Sequence, residues 1–298
     1  MRILSVGNFG TGWDGSICDE EHVAKALEEL GHEVARCQRD HIEFTDGGQW
    51  DFTLISQWDN YPDEALALLP HPLIYWAFDH QDQYQEWHLR LIDAADLYLS
   101  KRIEDSRFDN WQWLPQDFAP AFLDKFPENI EKNIDVLFTG SYLPWAEERN
   151  ATLKAVDDAF NLTIYSVTPD EFRNRGFKNV FGPEMDEALP ELIARSKINL
   201  SIDHTIEAGY WSDRPAQIMA CGGFVLHRYQ PLSTTVFRNH IAYFYSIEDC
   251  LNKLSNLLRP DIAAIREDFA KNAYEYAQAN LMVKNRVMDL LTIVEEIL

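Results

Sequence analysis

Short apolar segments alternate with segments of helical periodicity along this 298-residue chain, and this alternation restricts the possible folds to the α/β class. The first apolar segment runs from Ile3 to Val6 and is followed by a glycine-rich turn. The residues after that turn carry apolar side chains at helical spacing: Val23, Ala26, Leu27 and Leu30. Gly31 supplies a helix stop, and the next apolar segment begins at Val34. The start of the chain therefore predicts a βαβ unit.

Two series of such units follow one another. The first series continues with short apolar runs that predict further parallel strands, at Phe52 to Ile55, Leu73 to Ala77 and Leu97 to Leu99. It predicts a first domain over residues 1–115. Pro115, Pro120 and Pro127 then fall in a stretch without clear periodicity, which predicts an interdomain linker over residues 116–132.

The second series predicts a second domain over residues 133–280, followed by a terminal amphipathic helix over residues 281–298. The strands that it predicts are Ile134 to Phe138, Leu162 to Val167, Ile198 to Ile202 and Phe224 to His227. The chain is therefore expected to form an α/β fold of two Rossmann-like domains that face each other across a cleft, with C-terminal helices. Ligands bind beyond the carboxyl ends of the strands in open α/β sheets, so we expect the active site between the domains.

The charge of the chain disfavours two classes of partner. Lys and Arg number 26 against 49 Asp and Glu, which gives a formal net charge of −23. Nucleic acid and anionic membranes bind to basic patches, so neither is expected as a partner, although a local basic pocket for one diphosphate remains compatible with this balance. The four cysteines form no CxxC pair, and no signal peptide or membrane span is recognisable. We therefore expect a reduced, cytoplasmic protein.

A glycine-rich stretch follows the first predicted strand. Gly7, Gly10 and Gly12 occur in the order GxxGxG rather than GxGxxG, and the predicted helix begins several residues later, so the stretch is weak support for a dinucleotide site. The small residues favour a loop that lets the backbone approach a ligand closely, with Trp13 as a stacking residue and Asp14 as a polar one. The alternative is a permissive turn.

The strongest local signal lies between Tyr210 and Leu226. Ser212 or Asp213 is placed to cap a helix, and Pro215 suits its first turn. The N–H groups at such a helix start attract a phosphate, and Arg214 adds a fork of donors that grips two oxygens. The alternative is that Arg214 pairs with Asp213 or another acid of this acid-rich chain.

Several stretches resemble the nucleotide-sugar-dependent glycosyltransferases of the GT-B fold, in particular the spore-maturation-protein-like (CgeB-like) group related to glycosyltransferase family four. MRILSVG and ALEELGHEV resemble the first βαβ unit of these enzymes, and DVLFTGS, from Asp135 to Ser141, resembles the start of their second domain. SKINLSID and DRPAQIMACGGFVLHR, which begin at Ser196 and Asp213, resemble their donor-binding region. The resemblance implies transfer of a sugar from a nucleoside diphosphate, bound by the second domain, to an acceptor bound by the first. It also implies that no metal and no other cofactor is needed.

The resemblance also implies roles for individual residues. Arg214 would bind the diphosphate, with Lys197 or Arg149 as a second cation. Together with the loop residues Gly10, Gly12 and Trp13, the remaining candidates for binding a substrate or the donor are Gly140, Ser141, His204, Trp211, Ser212, Asp213, Gln217, Ser233 and Thr234. His204 suits a sugar-hydroxyl contact or a structural role, and Trp13 and Trp211 suit stacking on a sugar, although core packing is the commoner use of tryptophan. The chain departs from the family at Gln217 and Gly209, where glutamates are usual.

The best candidates for a catalytic base follow the strand that ends near Ala77. Asp79, His80 and Asp82 are expected at its carboxyl end, where a carboxylate or imidazole would accept the proton of an acceptor hydroxyl, and Asp14 is a further candidate. A metal site and a structural turn are the competing interpretations. No second ligand cluster at recognisable spacing accompanies these residues, so no metal is expected.

The leading hypothesis is a metal-independent glycosyltransferase that uses a nucleoside diphosphate sugar and a small-molecule, glycan or lipid-linked acceptor. The alternative is a non-catalytic nucleotide-sugar or glycan-binding protein on a degenerate GT-B scaffold, suggested by Gln217 and Gly209. Epimerisation and phosphorolysis share the same fold, and a nicotinamide-dependent dehydrogenase ranks lower because the fingerprint is incomplete. The sequence leaves open the donor, the acceptor, the stereochemical outcome and the oligomeric state.

Overall fold

The chain forms two compact units, each built around a parallel six-stranded sheet. The computed structural model of the protein describes residues 1–12, 16–44, 48–56, 61–78, 86–116, 118–120, 123, 130–184 and 188–297. Unit 1 comprises Met1–Gln116, Ala208–Tyr210 and Val283–Leu298, and unit 2 comprises Asp117–Glu207 and Trp211–Met282. The contacts thus assign Ala208–Tyr210 and the last helix to unit 1, two segments that the boundaries predicted from the sequence do not place there.

Unit 1 contains the first six strands of the protein. They are β1 (Arg2–Gly7), β2 (Glu33–Gln38), β3 (Phe52–Ile55), β4 (Leu73–Trp76), β5 (Leu97–Ser100) and β6 (Trp111–Trp113). The helices between them are α1 (Asp19–Glu29), α2 (Asp63–Leu66) and α3 (Glu86–Ala94), with 3-10 turns at Arg39–Phe44 and Ile103–Arg107. The strand order is β2-β1-β3-β4-β5-β6, and every pairing is parallel.

Helix α1 shows how the sequence sets local structure in unit 1. Its first turn carries Asp19, Glu20 and Glu21, whose carboxylates suit the positive end of the helix dipole. The helix ends at Glu29, and Gly31, two residues later, has a φ of 89° that lets the N–H of His32 donate to the carbonyl of Leu27. The predicted helix stop at this glycine is confirmed.

Unit 2 contains the other six strands and most of the helices. The strands are β7 (Ile134–Thr139), β8 (Leu162–Tyr165), β9 (Asn179–Phe181), β10 (Ser196–Ser201), β11 (Val225–Arg228) and β12 (Ala242–Phe244). The helices are α4 (Glu147–Ala159), α5 (Pro169–Arg173), α6 (Leu189–Ala194), α7 (Arg214–Ala220), α8 (Ser233–Phe237), α9 (Ile247–Leu257) and α10 (Ala263–Asn280). The order β12-β11-β10-β7-β8-β9 is that of a doubly wound dinucleotide-binding fold. The predicted α/β architecture with Rossmann-like sheets is confirmed.

The last helix, α11 (Val283–Glu295), belongs to unit 1, where it packs against α1. Its buried residues are Val283, Val287, Leu290, Leu291 and Val294, which confirms the predicted apolar face. Within the described residues, none of the helices combines the length and the apolar character needed to cross a membrane.

Candidate functional site

The strand order of unit 2 creates a topological switch point beside β7. The chain builds the sheet outward from β7 through β8 and β9, then returns to place β10 on the other side of β7. The connections after β7 and β10 consequently diverge, and ligands of doubly wound sheets bind in the crevice that this divergence leaves. Thr139 and Gly140 stand at the carboxyl end of β7, and Ile202 and Asp203 follow β10.

Arg214, the first residue of α7, is anchored to both of these strand ends. Its Nε donates a hydrogen bond to the carbonyl of Thr139 at 2.9 Å, and Nη1 donates to the carbonyl of Ile202 at 3.4 Å and to Ser212 Oγ at 3.2 Å. Its guanidinium lies 5.4 Å from the centre of the Phe138 ring. In the described part of the chain no carboxylate lies within ion-pair distance of Arg214, so the alternative of a salt bridge to Asp213 is wrong.

Arg149 brings a second guanidinium to the same place. Arg149 lies in α4 and is only 5% exposed. Its Nη2 donates a hydrogen bond to the carbonyl of Ser141 at 2.5 Å. Gly140 has a φ of +149°, and a Cβ built on it would lie 3.0 Å from Arg214 Nη2 and 3.3 Å from Arg149 Nη2. The two arginines therefore flank Gly140, and they concentrate positive charge in a chain whose net charge is −23.

Lys197 lies at the amino ends of the strands, at the opposite end of the sheet from Gly140. It is the second residue of β10, beside Ser196, which pairs in register with Ile134 at the start of β7. Its Nζ forms an ion pair with Asp135 Oδ1 at 2.6 Å. Since the amino ends of parallel strands face away from the end at which ligands bind, the structure places Lys197 away from Arg214, although the resemblance implied either Lys197 or Arg149 as the second cation. Of the two cations proposed for that role, Arg149 is the one near Gly140.

The start of α7 matches the predicted pattern in position but not in its hydrogen bonds. Asp213 is the N-cap residue and Pro215 lies in the first turn, as predicted, yet Asp213 makes no side-chain capping bond. Its carboxylate accepts a hydrogen bond from Gln217 Nε2 instead. The helix has only seven residues, so the arginine side chains, more than the helix dipole, supply the positive charge of the site.

A buried polar network lies behind this helix start. Asp203 Oδ1 accepts a hydrogen bond from the N–H of Ser212 at 3.0 Å, and Oδ2 accepts one from Gln230 Nε2 at 3.2 Å. His227 Nε2 is 3.7 Å from Asp203 Oδ2, and its Nδ1 is 3.1 Å from Ser201 Oγ. Sequence reasoning missed Gln230, which is fully buried, because no local pattern marks it.

Protonation in this network follows from burial and charge. Burial alone would raise the pKa of Asp203, but His227, Arg214 and the hydrogen bond from Ser212 hold that pKa below its ordinary value. Burial lowers the pKa of the His227 imidazole. At neutral pH the pair is therefore an ionised carboxylate beside a neutral imidazole.

The remaining candidates of unit 2 have mixed environments. Trp211 has no exposed surface and packs edge-on against Phe237, with ring centres 5.7 Å apart, so the structure favours a core role over the expected stacking on a sugar. Ser233 is buried and its hydroxyl donates to the carbonyl of Gln230 at 2.7 Å. Thr234 is exposed and His204 is half-buried.

The glycine-rich stretch of unit 1 forms a hydrogen-bonded loop. Gly10 has a φ of 103° and its carbonyl accepts from the N–H of Cys18 at 3.0 Å, while the N–H of Gly12 donates to the carbonyl of Ser16 at 2.7 Å. Thr11 and Ile17 form an isolated antiparallel bridge. The other candidates of this unit lie outside the described residues, namely Trp13, Asp14, Asp79, His80 and Asp82.

Two further features of unit 2 were not anticipated. Trp145 is 65% exposed in the connection between β7 and α4, which also contains Ser141. A cavity of about 430 Å³ is lined by Asn239, His240, Phe269, Asn272, Glu275 and Tyr276, none of which is a donor-site candidate. Among the residues that the structure describes, no three His, Cys, Asp or Glu side chains are grouped so as to hold a metal ion.

Known structures share this fold over the whole chain. Sucrose-phosphate synthase from Thermosynechococcus elongatus matches with a TM-score of 0.72 at 9% identity, covering 100% of this chain and 99% of that one. Anabaena HepE in complex with UDP matches with a TM-score of 0.66 at 12% identity, covering 99% and 100%. A glycosyltransferase from Rickettsia africae matches with a TM-score of 0.68 at 14% identity, covering 99% and 98%. These likenesses identify the GT-B fold.

Sequence comparison identifies the family. No curated protein matches the chain significantly in sequence. The sequence model of the glycosyl transferase-like family, however, matches residues 132–292, a span that includes β7, Gly140, both arginines and the start of α7. Because this match covers more than half of the 298 residues, the chain belongs to the glycosyl transferase-like family.

Proposed function

We propose that this glycosyltransferase takes its sugar from a nucleoside diphosphate donor, whose diphosphate is bound by Arg214 and Arg149. The observation that carries the proposal is the convergence of the two guanidinium groups on Gly140 at the switch point of unit 2. Because Arg214 Nε and Nη1 already donate to Thr139, Ile202 and Ser212, its Nη2 is the nitrogen that would bind a phosphate oxygen. Two guanidinium groups at one point would stabilise the negative charge that develops on the leaving diphosphate.

The names of structurally similar proteins support the same donor class. HepE is described in complex with UDP and glucose, and an α-glucosyltransferase in complex with UDP and DNA. We extend only the donor class to this chain. For the acceptor we retain a small molecule, a glycan or a lipid-linked acceptor, because the net charge of −23 disfavours a nucleic acid.

Three finer points belong to the same proposal. We place the chain in the spore-maturation-protein-like group related to glycosyltransferase family four, on the motifs around Asp135, Ser196 and Arg214. We propose that transfer needs no divalent metal, since the arginines supply the positive charge at the diphosphate. We retain Asp79 or His80, with Asp14 as a further candidate, as the base that accepts the proton of the acceptor hydroxyl.

A non-catalytic binding protein remains the second candidate, and Gly209 is the observation that favours it. A Cβ at this position would lie 2.4 Å from the carbonyl oxygen of Lys101, so the backbone of unit 1 leaves no room for the glutamate usual in the resembled family. Gln217, the other departure from the family, is bonded to Asp213. In this alternative the protein binds the donor tightly without transferring or hydrolysing it.

The first test is the effect of UDP, GDP, TDP, ADP and their common sugars on thermal stability, with EDTA present and NAD as a control. A ligand that binds only the folded state raises the unfolding temperature. We expect one nucleoside diphosphate to do so without metal, and hydrolysis or transfer of its sugar distinguishes an enzyme from a binding protein.

Arg214→Ala then tests the site itself. Removing a charged donor that grips phosphate is expected to weaken donor binding by about a hundredfold and to abolish turnover, while the protein stays folded. Arg259→Ala is the matched control, because Arg259 is exposed and pairs only locally with Asp261. Full donor affinity in Arg214→Ala would show that the diphosphate binds elsewhere.

A further inference from the structure

A buried carboxylate lies directly behind the arginine of the proposed site. Asp203 is only 6% exposed, and each of its two oxygens accepts one hydrogen bond from a different segment of unit 2. Oδ1 binds the N–H of Ser212, two residues before Arg214, and Oδ2 binds Gln230 in the connection after β11. Burying a charged group is costly unless partners compensate, and here the N–H of Ser212, Gln230 Nε2 and the nearby charge of Arg214 provide that compensation.

One branch of the network leads from Asp203 to Arg214. The backbone of Ser212 is fixed by Asp203 Oδ1, and the hydroxyl of the same serine accepts a hydrogen bond from Arg214 Nη1 at 3.2 Å. Arg214 also lies close enough for its charge to lower the pKa of Asp203. The orientation of the Arg214 guanidinium thus depends on the Asp203 carboxylate in two ways: through the hydrogen bonds of Ser212, and through the attraction between the two charges.

The other branch fixes the connection between β10 and α7. Gln230 Nε2 donates to the carbonyl of Thr205 at 2.6 Å, and its Oε1 accepts from the N–H of Glu207 at 3.2 Å. Gln230 is fully buried and its amide can satisfy these two groups in one orientation only, with Nε2 toward Asp203 and Thr205. The carboxylate selects that orientation because it can only accept hydrogen bonds.

We propose that Asp203 is a positioning residue for donor binding: it holds Arg214 toward the diphosphate through Ser212, and it fixes the connection from Thr205 to Glu207 through Gln230. The proposal rests on the proposed function, since it concerns the affinity for the donor. Asp203 itself contacts no donor atom in this scheme. Its effect on donor affinity is transmitted through the orientation of Arg214, which the connection before α7 helps to fix because Arg214 is the first residue of that helix.

Asp203→Asn tests the proposal with almost no change in volume. An asparagine that accepts from Ser212 turns its own NH₂ toward Gln230 Nε2, so two donors face each other and the negative charge near Arg214 is lost. We expect the dissociation constant for the nucleoside diphosphate that stabilises the wild-type protein to rise about tenfold or more. In the Arg214→Ala background the same substitution is expected to change the dissociation constant by less than about twofold.

Asp157→Asn is the matched control. Asp157 is also a buried aspartate of unit 2, 1% exposed, but it lies in α4 and accepts from the N–H of Lys178 rather than from the α7 connection. We expect it to lower thermal stability while leaving donor affinity unchanged. Non-additivity with Arg214→Ala is a property that general destabilisation would not produce, so it separates positioning from a merely structural role.

Ser212→Ala keeps the proposal testable if Asp203→Asn does not fold. It removes the hydroxyl that accepts from Arg214 and retains the N–H bound to Asp203, so donor affinity should fall several-fold, again only when Arg214 is present. Unchanged affinity in both variants, or equal losses with and without Arg214, would overturn the positioning role and leave the proposed donor site standing. Failure of UDP, GDP, TDP and ADP to bind the wild-type protein would overturn both.

Discussion

Gly140 allows two arginines to approach one point of the chain. Its φ of +149° is a conformation that other residues rarely adopt, and the space where a Cβ would lie is bounded by Arg214, Arg149 and the Phe138 ring at 3.0 to 3.3 Å. Any side chain would therefore move at least one guanidinium. The proposed site thus requires a residue without a Cβ at position 140 as well as the two arginines beside it.

Gly140→Ala is expected to weaken donor binding by about tenfold or more and to cost about 1 kcal/mol of stability. The added methyl group displaces Arg214 Nη2 or Arg149 Nη2 from the position that we propose for binding phosphate. Titration calorimetry with the stabilising nucleoside diphosphate measures the affinity, and thermal unfolding measures the stability.

Gly176→Ala separates backbone strain from displacement of the arginines. Gly176 has a φ of +77° with nothing within 4 Å of its missing Cβ, so an alanine there should be strained but should not touch the site. We expect a similar loss of stability with unchanged donor affinity. Equal losses of affinity in the two alanine variants would contradict the proposed role of Gly140.

Single residues were predictable from sequence where a local rule applied. A capping residue and Pro215 predicted a helix start beside Arg214, and the structure begins α7 at Arg214. The sequence could not decide between Arg149 and Lys197 as the second cation, because the choice depends on whether each side chain lies at the carboxyl or the amino ends of the strands. Gln230 was missed because its partners, Asp203 and Thr205, are distant in sequence.

At the scale of elements, periodicity predicted the longer segments and failed for the shortest. The apolar face of α11 was predicted because it repeats over several turns. Strands β6, β9 and β12 were not predicted, and each has only three residues. Three residues are too few to show an alternation, and their extended conformation comes from pairing with β5, β8 and β11.

Helix α11 should contribute to the stability of unit 1. Leu290 is fully buried on its inner face, and replacing it with alanine is expected to cost about 2–5 kcal/mol because a cavity remains. Met288→Ala is the control on the same helix, since Met288 is 50% exposed, and we expect it to cost about 0.5 kcal/mol or less. Denaturant unfolding measures both changes.

Hydrogen exchange locates the effect of the Leu290 substitution. Amides of strands β1 to β6 should lose protection in Leu290→Ala, because α11 belongs to unit 1, whereas amides of β7 to β12 should keep theirs. A loss confined to β7 to β12 would show that the helix stabilises the other unit instead.

At the scale of the whole molecule, the sequence predicted two α/β units but not the order of their strands. Alternation of strands and helices restricts the fold class, whereas the side of β7 on which β10 pairs is decided by contacts between residues far apart in sequence. That choice creates the switch point at which Arg214 meets Gly140. Local motifs therefore indicate which residues could form the proposed site, while their assembly follows from the topology.

Two buried histidines of unit 1 should make the protein less stable in acid. His22 is 7% exposed and His88 is 2% exposed. Burial, reinforced by the charge of Lys25, lowers the pKa of His22 to about 4, and burial with the charge of Arg102 lowers that of His88 to about 4. In the unfolded chain both imidazoles have a pKa of about 6.5.

Stability should therefore fall as the pH drops from about 6.5 to 4, because the unfolded chain binds protons in that window and the folded chain does not. Each histidine contributes a loss of about 2–3 kcal/mol at pH 4.5, measured as the free energy of unfolding in urea against its value at pH 7. His88→Leu should remove about half of the combined effect, whereas substitution of the exposed His41 by glutamine should leave the slope unchanged. An identical pH dependence in wild type and His88→Leu would show that the acid sensitivity arises from other groups. The carboxylates of this chain, whose net charge is −23, would then be the groups to titrate next.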